Sequence, residues 1–240
     1  DQIAEALRLH DSHLSAGAAA ARAVELLKVV GIPDAERRAK AFPHEYSGGM
    51  RQRAMIAMAI ANDPKVILAD EPTTALDVTI QAQILEVLET AKEITGASIV
   101  LITHDLGVVA GHADRVGVMY AGTLGEMGTT DDVFTAPKMP YSIGLLRSVP
   151  NMLTAGTQRL VPLEGRPPSL ASLPQGCPFA ARCPIAIDAC REVEPSLVAH
   201  DPAEPEHVSA CIRAGEIVGG ELLRSEVFPR PEAMPADERA

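Results

Sequence analysis

Two short apolar runs, residues 65–70 and 98–103, flank one long amphipathic stretch, Val78 to Thr95, and this alternation constrains the fold more than any other feature. Both runs are too short for stable helices and rich in Val, Ile and Leu, which predicts buried strands. Between them Ile80, Ile84, Val87, Leu88 and Ala91 recur at helical spacing, and Gly96 is placed to end that helix. Leu106 to Ala113 reads as a short helix and Arg115 to Tyr120 as a third strand; Ala121-Gly122 is a turn before Thr123 to Gly128. Strand, helix, strand, helix, strand predicts an α/β layered domain with parallel strands.

Upstream the chain reads as helical. Ala16 to Val30 puts Val24, Leu27 and Val30 on one helical face, with Gly31 as a stop. Pro33-Asp34 opens another helix that Pro43 ends, and Met50 to Ala61 continues the pattern. The 240 residues are 47% hydrophobic but only 3% aromatic, with no Trp, so the core must be aliphatic. A net charge of -11 argues against nucleic acid as a partner. No apolar run is long enough to span a bilayer. The start, Asp1-Gln2-Ile3, lacks an initiating Met and the regions of a signal peptide, and reads as a cut end of a cytoplasmic protein. After Thr135 prolines crowd the chain, and all four cysteines lie beyond position 176. This predicts an α/β domain over 1–150 (a helical part to about 62, a core over 63–150), a Cys-rich appendage over 151–220 and a loose tail over 221–240.

The chemistry gathers at three places. Tyr46-Ser47-Gly48-Gly49-Met50-Arg51-Gln52-Arg53 opens a helix, where glycine-fronted N–H groups and the helix dipole favour an anion. The plainer reading of Ser47 is a helix cap. Val66-Ile67-Leu68-Ala69-Asp70-Glu71-Pro72 ends a strand in two acids, at the sheet edge where ligands of α/β folds collect. Asp70 suits Mg²⁺ through its water shell and Glu71 suits polarising an attacking water. The alternative is a pair of acids that cap the next loop or are merely solvated. Ile102-Thr103-His104-Asp105 ends the next run, where a His by itself is more often a structural hydrogen-bonder. Nothing in the chain fits Gly-x-x-x-x-Gly-Lys-Ser/Thr, the loop that cradles nucleotide phosphates.

In order and spacing these elements resemble the C-terminal part of an ABC-transporter ATPase, most closely the ATPase subunit of bacterial oligopeptide and dipeptide importers. Tyr46 and Met50, in place of the Leu and Gln of the general signature, point to that branch, as do Met139-Pro140-Tyr141-Ser142 and the cysteine-rich stretches Gly176–Ala180 and Arg182–Pro184. The resemblance runs from about residue 1 to 218. It implies a helical subdomain on a RecA-like core, with ATP and Mg²⁺ as cofactors. Asp70 and Glu71 are then the Walker B acids, Ala75-Leu76-Asp77 the loop through which Asp77 communicates across a dimer, and His104 the switch histidine near the γ-phosphate. Ser47, Gly48, Gly49 and Gln52 contact a nucleotide held by the opposite subunit. The implied partners are a second ABC ATPase subunit, identical or merely similar, transmembrane permease subunits and, indirectly, an extracytoplasmic peptide-binding protein. Such a protein sits peripherally on the cytoplasmic face of the membrane. Without a phosphate loop, this chain alone is expected to show little or no ATPase activity. Two other readings are a soluble ABC-class ATPase not linked to transport, and a metal or redox protein on an ATPase remnant.

Cys177, Cys183, Cys190 and Cys211 follow a Cys-x5-Cys-x6-Cys-x20-Cys pattern that matches neither common zinc pairs nor ferredoxin runs. Four thiols in a Pro-rich, core-poor segment suggest a staple. Resemblance to importer ATPases that carry a 4Fe–4S cluster makes these four its expected ligands. Zinc, with His200 or His207 as further candidate ligands, and four plain reduced thiols are the alternatives. Both histidines otherwise read as surface residues.

Overall fold

The computed structural model describes residues 1–74, 76–148 and 162–228. It divides at Leu106/Gly107 into two compact units rather than near residue 150.

The first unit opens with three helices, α1 (Gln2–His10), α2 (Ala16–Val29) and α3 (Ala35–Arg38). Ser15 caps α2 by accepting from the Ala18 N–H at 3.2 Å. Gly31, at φ 72°, takes the left-handed turn that releases the chain after it. A 3₁₀ turn at Pro43–Glu45 leads into α4 (Gly48–Ala59). Strand β1 (Val66–Asp70), helix α5 (Val78–Thr95) and strand β2 (Ser98–Ile102) complete a β-α-β passage. Helix α5 spans the residues expected of it, with Asp77 accepting from the Ile80 N–H at one end and Gly96 left-handed at the other. The core is aliphatic. Leu26, Leu27, Val30, Ile56, Ile60, Ile84 and Leu88 are all nearly without solvent contact. Helix α2 packs on α1 and α4, and α4 on α5.

Strands β1 and β2 pair in parallel, Val66 opposite Ser98 through Asp70 opposite Ile102. One face buries Ile67 and Ala69. The other exposes Val66, Leu68, Val100 and Ile102, with Leu68 72% exposed, so the expectation of strands buried on both faces does not hold. Alternate side chains of a strand point to opposite faces, and among the described residues only one face meets a packing partner.

The second unit contains α6 (Leu106–His112, whose first residue falls at the division), β3 (Arg115–Tyr120), β4 (Thr123–Thr129), α7 (Thr130–Thr135) and α8 (Pro140–Arg147). It continues with α9 (Ala189–Glu192), β5 (Val198–Ala199), β6 (Val208–Ser209), α10 (Ala214–Val218) and α11 (Arg224–Val227). Strand β3 does not join β1 and β2 in a parallel sheet as the alternation predicts. It pairs antiparallel with β4 in a four-stranded sheet ordered β3-β4-β6-β5. The reason is local. Ala121 and Gly122 both take positive φ, 49° and 81°, the geometry of a tight hairpin turn that folds the chain straight back. Strands β5 and β6 come from the cysteine-rich region, and Glu126 lies opposite Ser209. This shared sheet is why the unit boundary falls before β3. An aromatic cluster of Tyr120, Tyr141 and Phe179, with ring centroids 4.7–5.4 Å apart, packs with Met139, Ile143, Ile217 and Phe228. Val227 and Phe228 are buried, so these two residues of the expected loose tail belong to the core; 229–240 lie outside the described residues.

Candidate functional site

The carboxyl ends of β1 and β2 place the acids and the histidine together. Because the strands are parallel and in register, Asp70 stands beside Ile102, and the Glu71 N–H donates to the Ile102 carbonyl at 2.9 Å. Glu71 then takes φ 44°, a left-handed conformation uncommon for a residue with a side chain. Its carboxylate accepts from the Thr74 hydroxyl at 2.7 Å, and its other oxygen lies 3.2 Å from His104 Nδ1. The Thr74 hydroxyl, and then His104, hold the Glu71 carboxyl below the usual carboxylate range. Both side chains are open to solvent, His104 at 76% and Glu71 at 47% exposure. Asp70 is exposed on the same edge. Sequence reasoning missed Thr74. Its signal was its place three residues after Glu71, the spacing at which a hydroxyl reaches back across a turn.

The second cluster lies at the start of α4. Ser47 caps the helix, its hydroxyl accepting from the Met50 N–H at 3.3 Å, which is the plainer of the two expectations for it. Ser47 and Gly48 are exposed, Gly49 and Gln52 half-buried. Glycine is needed at 49, because a Cβ there would stand 2.9 Å from Ile80 Cγ2. That contact sets the α4 N-terminus against the first turn of α5, which Asp77 caps. Leu76 is a neighbour of Gly48, while Ala75 lies outside the described residues. Gln81, one turn further, donates to Asp105 Oδ2 at 3.1 Å and ties α5 to the loop that carries His104.

The four cysteines line one pocket in the second unit, with Met139, Phe179 and Ile212 among the other walls. None is in a disulfide. The backbone amides of Phe179 and Ala180 favour the Cys177 thiolate, that of Ile185 the Cys183 thiolate and that of Arg213 the Cys211 thiolate. Donors aimed at sulfur favour thiolate. Burial opposes them and prevails, pushing the Cys183 thiol up to about 11 and Cys211 up to about 12. An all-sulfur donor set with N–H support fits soft-metal ligation. Yet no three His, Cys, Asp or Glu side chains among the described residues converge on one point as ligands of a single metal ion. The two histidines are engaged elsewhere, which corrects their place as candidate zinc ligands. His200 Nε2 lies 3.0 Å from the Ser209 carbonyl, and His207 Nε2 lies 2.8 Å from Glu126 Oε1. Nor is His207 a surface residue; it is 1% exposed.

His207 belongs to a buried polar group that sequence reasoning did not find. Glu126 accepts from the backbone N–H groups of Lys138 and Met139 as well as contacting His207. Lys138 Nζ donates to Glu204 at 2.9 Å and to the His207 carbonyl. These contacts join β4, the loop before α8 and the approach to β6. Nothing in the spacing of 126, 138, 204 and 207 signals their meeting.

Comparison with known proteins matches residues 2–74 to the ABC transporter family and residues 126–190 to the oligopeptide/dipeptide transporter C-terminal region. The chain is 53% identical to the oligopeptide transport ATP-binding protein OppD of Mycobacterium tuberculosis over 98% of its own length and 38% of that protein. It is 54% identical to the dipeptide transport ATP-binding protein DppD of Bacillus subtilis, over 81% of this chain and 58% of the relative. A probable peptide ABC transporter ATP-binding protein of Sinorhizobium fredii is 49% identical, over 90% and 64%. The chain thus spans less than two thirds of the length of these relatives. Among its described residues, no helix is long and apolar enough to cross a membrane.

Proposed function

We propose that this chain, which belongs to the family of ABC transporter ATP-binding proteins, works as the energy-coupling part of an oligopeptide or dipeptide importer by hydrolysing ATP at a subunit interface. The observation that carries the reading is the Glu71 carboxylate, held on a left-handed backbone at the carboxyl edge of the parallel pair, 3.2 Å from His104 and open to solvent. In this reading Glu71 polarises the attacking water and His104 senses the γ-phosphate. Asp70 holds Mg²⁺ through water, and the ion offsets charge on the phosphates. Ser47, Gly48, Gly49 and Gln52 meet a nucleotide carried by a neighbouring ATPase subunit, and Asp77 relays across that contact. The exposed start of α4 supports this, since only an open helix N-terminus can serve a second chain.

The helical residues up to about 62 dock on transmembrane permease subunits at the cytoplasmic face of the membrane, and a peptide-binding protein outside selects the cargo. The relatives' names support peptide as that cargo. The test is Glu71→Gln in the intact protein, with nucleotide binding and phosphate release measured separately. ATP binding should persist while turnover falls by about two to four orders of magnitude, the range expected when a positioned acid–base group is lost. Unchanged turnover removes Glu71 from the mechanism.

For the second unit, we propose that Cys177, Cys183, Cys190 and Cys211 hold an iron–sulfur cluster of the 4Fe–4S type, which would staple this part of the fold. The shared pocket and the backbone amides that favour three of the thiolates support it. Iron and acid-labile sulfide measured on anaerobically prepared protein test this; zinc without visible absorbance rejects it.

A further inference from the structure

Arg213 stands at the cysteine pocket in a way that neither ATP hydrolysis nor the family matches explain. It stands two residues after Cys211, and its backbone amide favours that thiolate. Its guanidinium donates through Nη1 to the Ile185 carbonyl at 2.7 Å. Ile185 stands two residues after Cys183, and its backbone amide favours that thiolate. One side chain thus spans two sulfur-bearing loops far apart in sequence. The Arg213 side chain is only 20% exposed. Its other edge grips Glu216, with Nε 2.9 Å from Oε1 and Nη2 2.5 Å from Oε2. The cation interacts electrostatically with the sulfurs of Cys190 and Cys183, whereas the more exposed Glu216 carboxylate has Arg213 as its charged partner. The cation of the pair is thus the group that acts on the sulfurs.

We propose that Arg213 is the positioning residue of the four-cysteine pocket, fixing the Cys183 and Cys211 loops at one spacing and offsetting the negative charge gathered on the sulfurs, with Glu216 orienting it. The charge-offsetting part rests on the cluster reading above; the positioning part does not. Several thiolates in an apolar pocket repel one another and are poorly solvated, so a nearby fixed cation lowers that penalty. Arginine suits the place because its planar fork meets a carbonyl on one edge and a carboxylate on the other, which an ammonium cannot do in a fixed geometry.

The test uses the intact protein, wild type and with Arg213→Gln, Arg213→Lys and Glu216→Gln. Iron, sulfide and the reduction potential of the loaded site are measured anaerobically. In metal-free protein, iodoacetamide labelling of each cysteine is followed by mass spectrometry. Arg213→Gln should move the midpoint potential down and Glu216→Gln should move it up, an opposition that general loosening does not produce. Arg213→Lys should hold the potential nearer to wild type. Both Arg213 variants should label Cys183 and Cys211 several-fold faster, with Cys177 unchanged. Potentials that move in the same direction, or not at all, overturn the charge role. Unchanged labelling of Cys183 and Cys211 in Arg213→Gln overturns the positioning role. If wild-type protein takes up no iron, the cluster reading and the charge role fail together, and the labelling result alone decides the positioning role.

Discussion

Glu71 holds a conformation that costs a residue with a side chain about 1–3 kcal/mol, and the surrounding bonds maintain it. Its N–H is tied to Ile102 and its carboxylate to Thr74 and His104. The Thr74 hydroxyl is the first cause of the lowered Glu71 pKa and His104 the second. A depressed carboxyl favours the folded arrangement above its ordinary range, and that contribution is lost as pH falls through the folded value. Thr74→Val should therefore raise the Glu71 pKa toward the ordinary carboxylate value, and His104→Ala should raise it less, as read by NMR titration of the Glu71 side chain. Gly176 is a second residue with no substitute. It sits at φ 82°, and a Cβ would stand 2.6 Å from the Arg191 carbonyl carbon and 2.7 Å from the Cys190 oxygen. That contact places Cys177 beside Cys190, whose carbonyl accepts from the Cys177 N–H at 2.8 Å. Gly176→Ala should loosen this pairing and speed iodoacetamide labelling of Cys177 and Cys190 in the metal-free protein. Equal labelling would show that the backbone shifts without opening the pocket.

At the scale of elements, the short strands of the second unit depend on buried polar contacts more than on length. Strand β6 has two residues, yet His207 before it and Ser209 within it are nearly fully buried. Glu126 on β4 anchors that approach, and its side chain has no solvent contact. Breaking a buried ionic group by removing one partner costs about 3–5 kcal/mol. Glu126→Gln presents an amide donor group to the two backbone N–H groups and His207 that now share the carboxylate. It should lower the stability of this unit by an amount in that range, measured by urea unfolding. A change within about 0.5 kcal/mol, the spread of ordinary surface substitutions, would mean that the group is not structural. The sequence shows this element only in part. The hairpin turn at Ala121-Gly122 and the limits of α5 are legible because turn and cap residues act locally. The partner of β3 is not, since Arg115–Tyr120 has the same apolar character whether it pairs in parallel or antiparallel.

The whole chain carries one feature that local rules do not foresee in full. The outer face of the β1–β2 pair exposes Val66, Leu68, Val100 and Ile102 side by side. Contiguous apolar surface of this kind drives association in water. The chain, taken by itself, should self-associate in sedimentation measurements, and Leu68→Lys with Val100→Thr should shift it toward monomer without loss of helix content. An unchanged oligomer distribution would place the contact elsewhere.

The amino-acid sequence determined the elements and the kinds of chemistry by itself, because caps, turns and apolar periodicity are settled within a few residues. So did the order of the glycine-fronted helix, the paired acids and His104. Tertiary structure alone decided which strands share a sheet, that Glu126, Lys138 and His207 meet out of water with Glu204 at their edge, and that Arg213 reaches the Ile185 carbonyl. Those outcomes join residues far apart along the chain, and local spacing carries no record of such meetings.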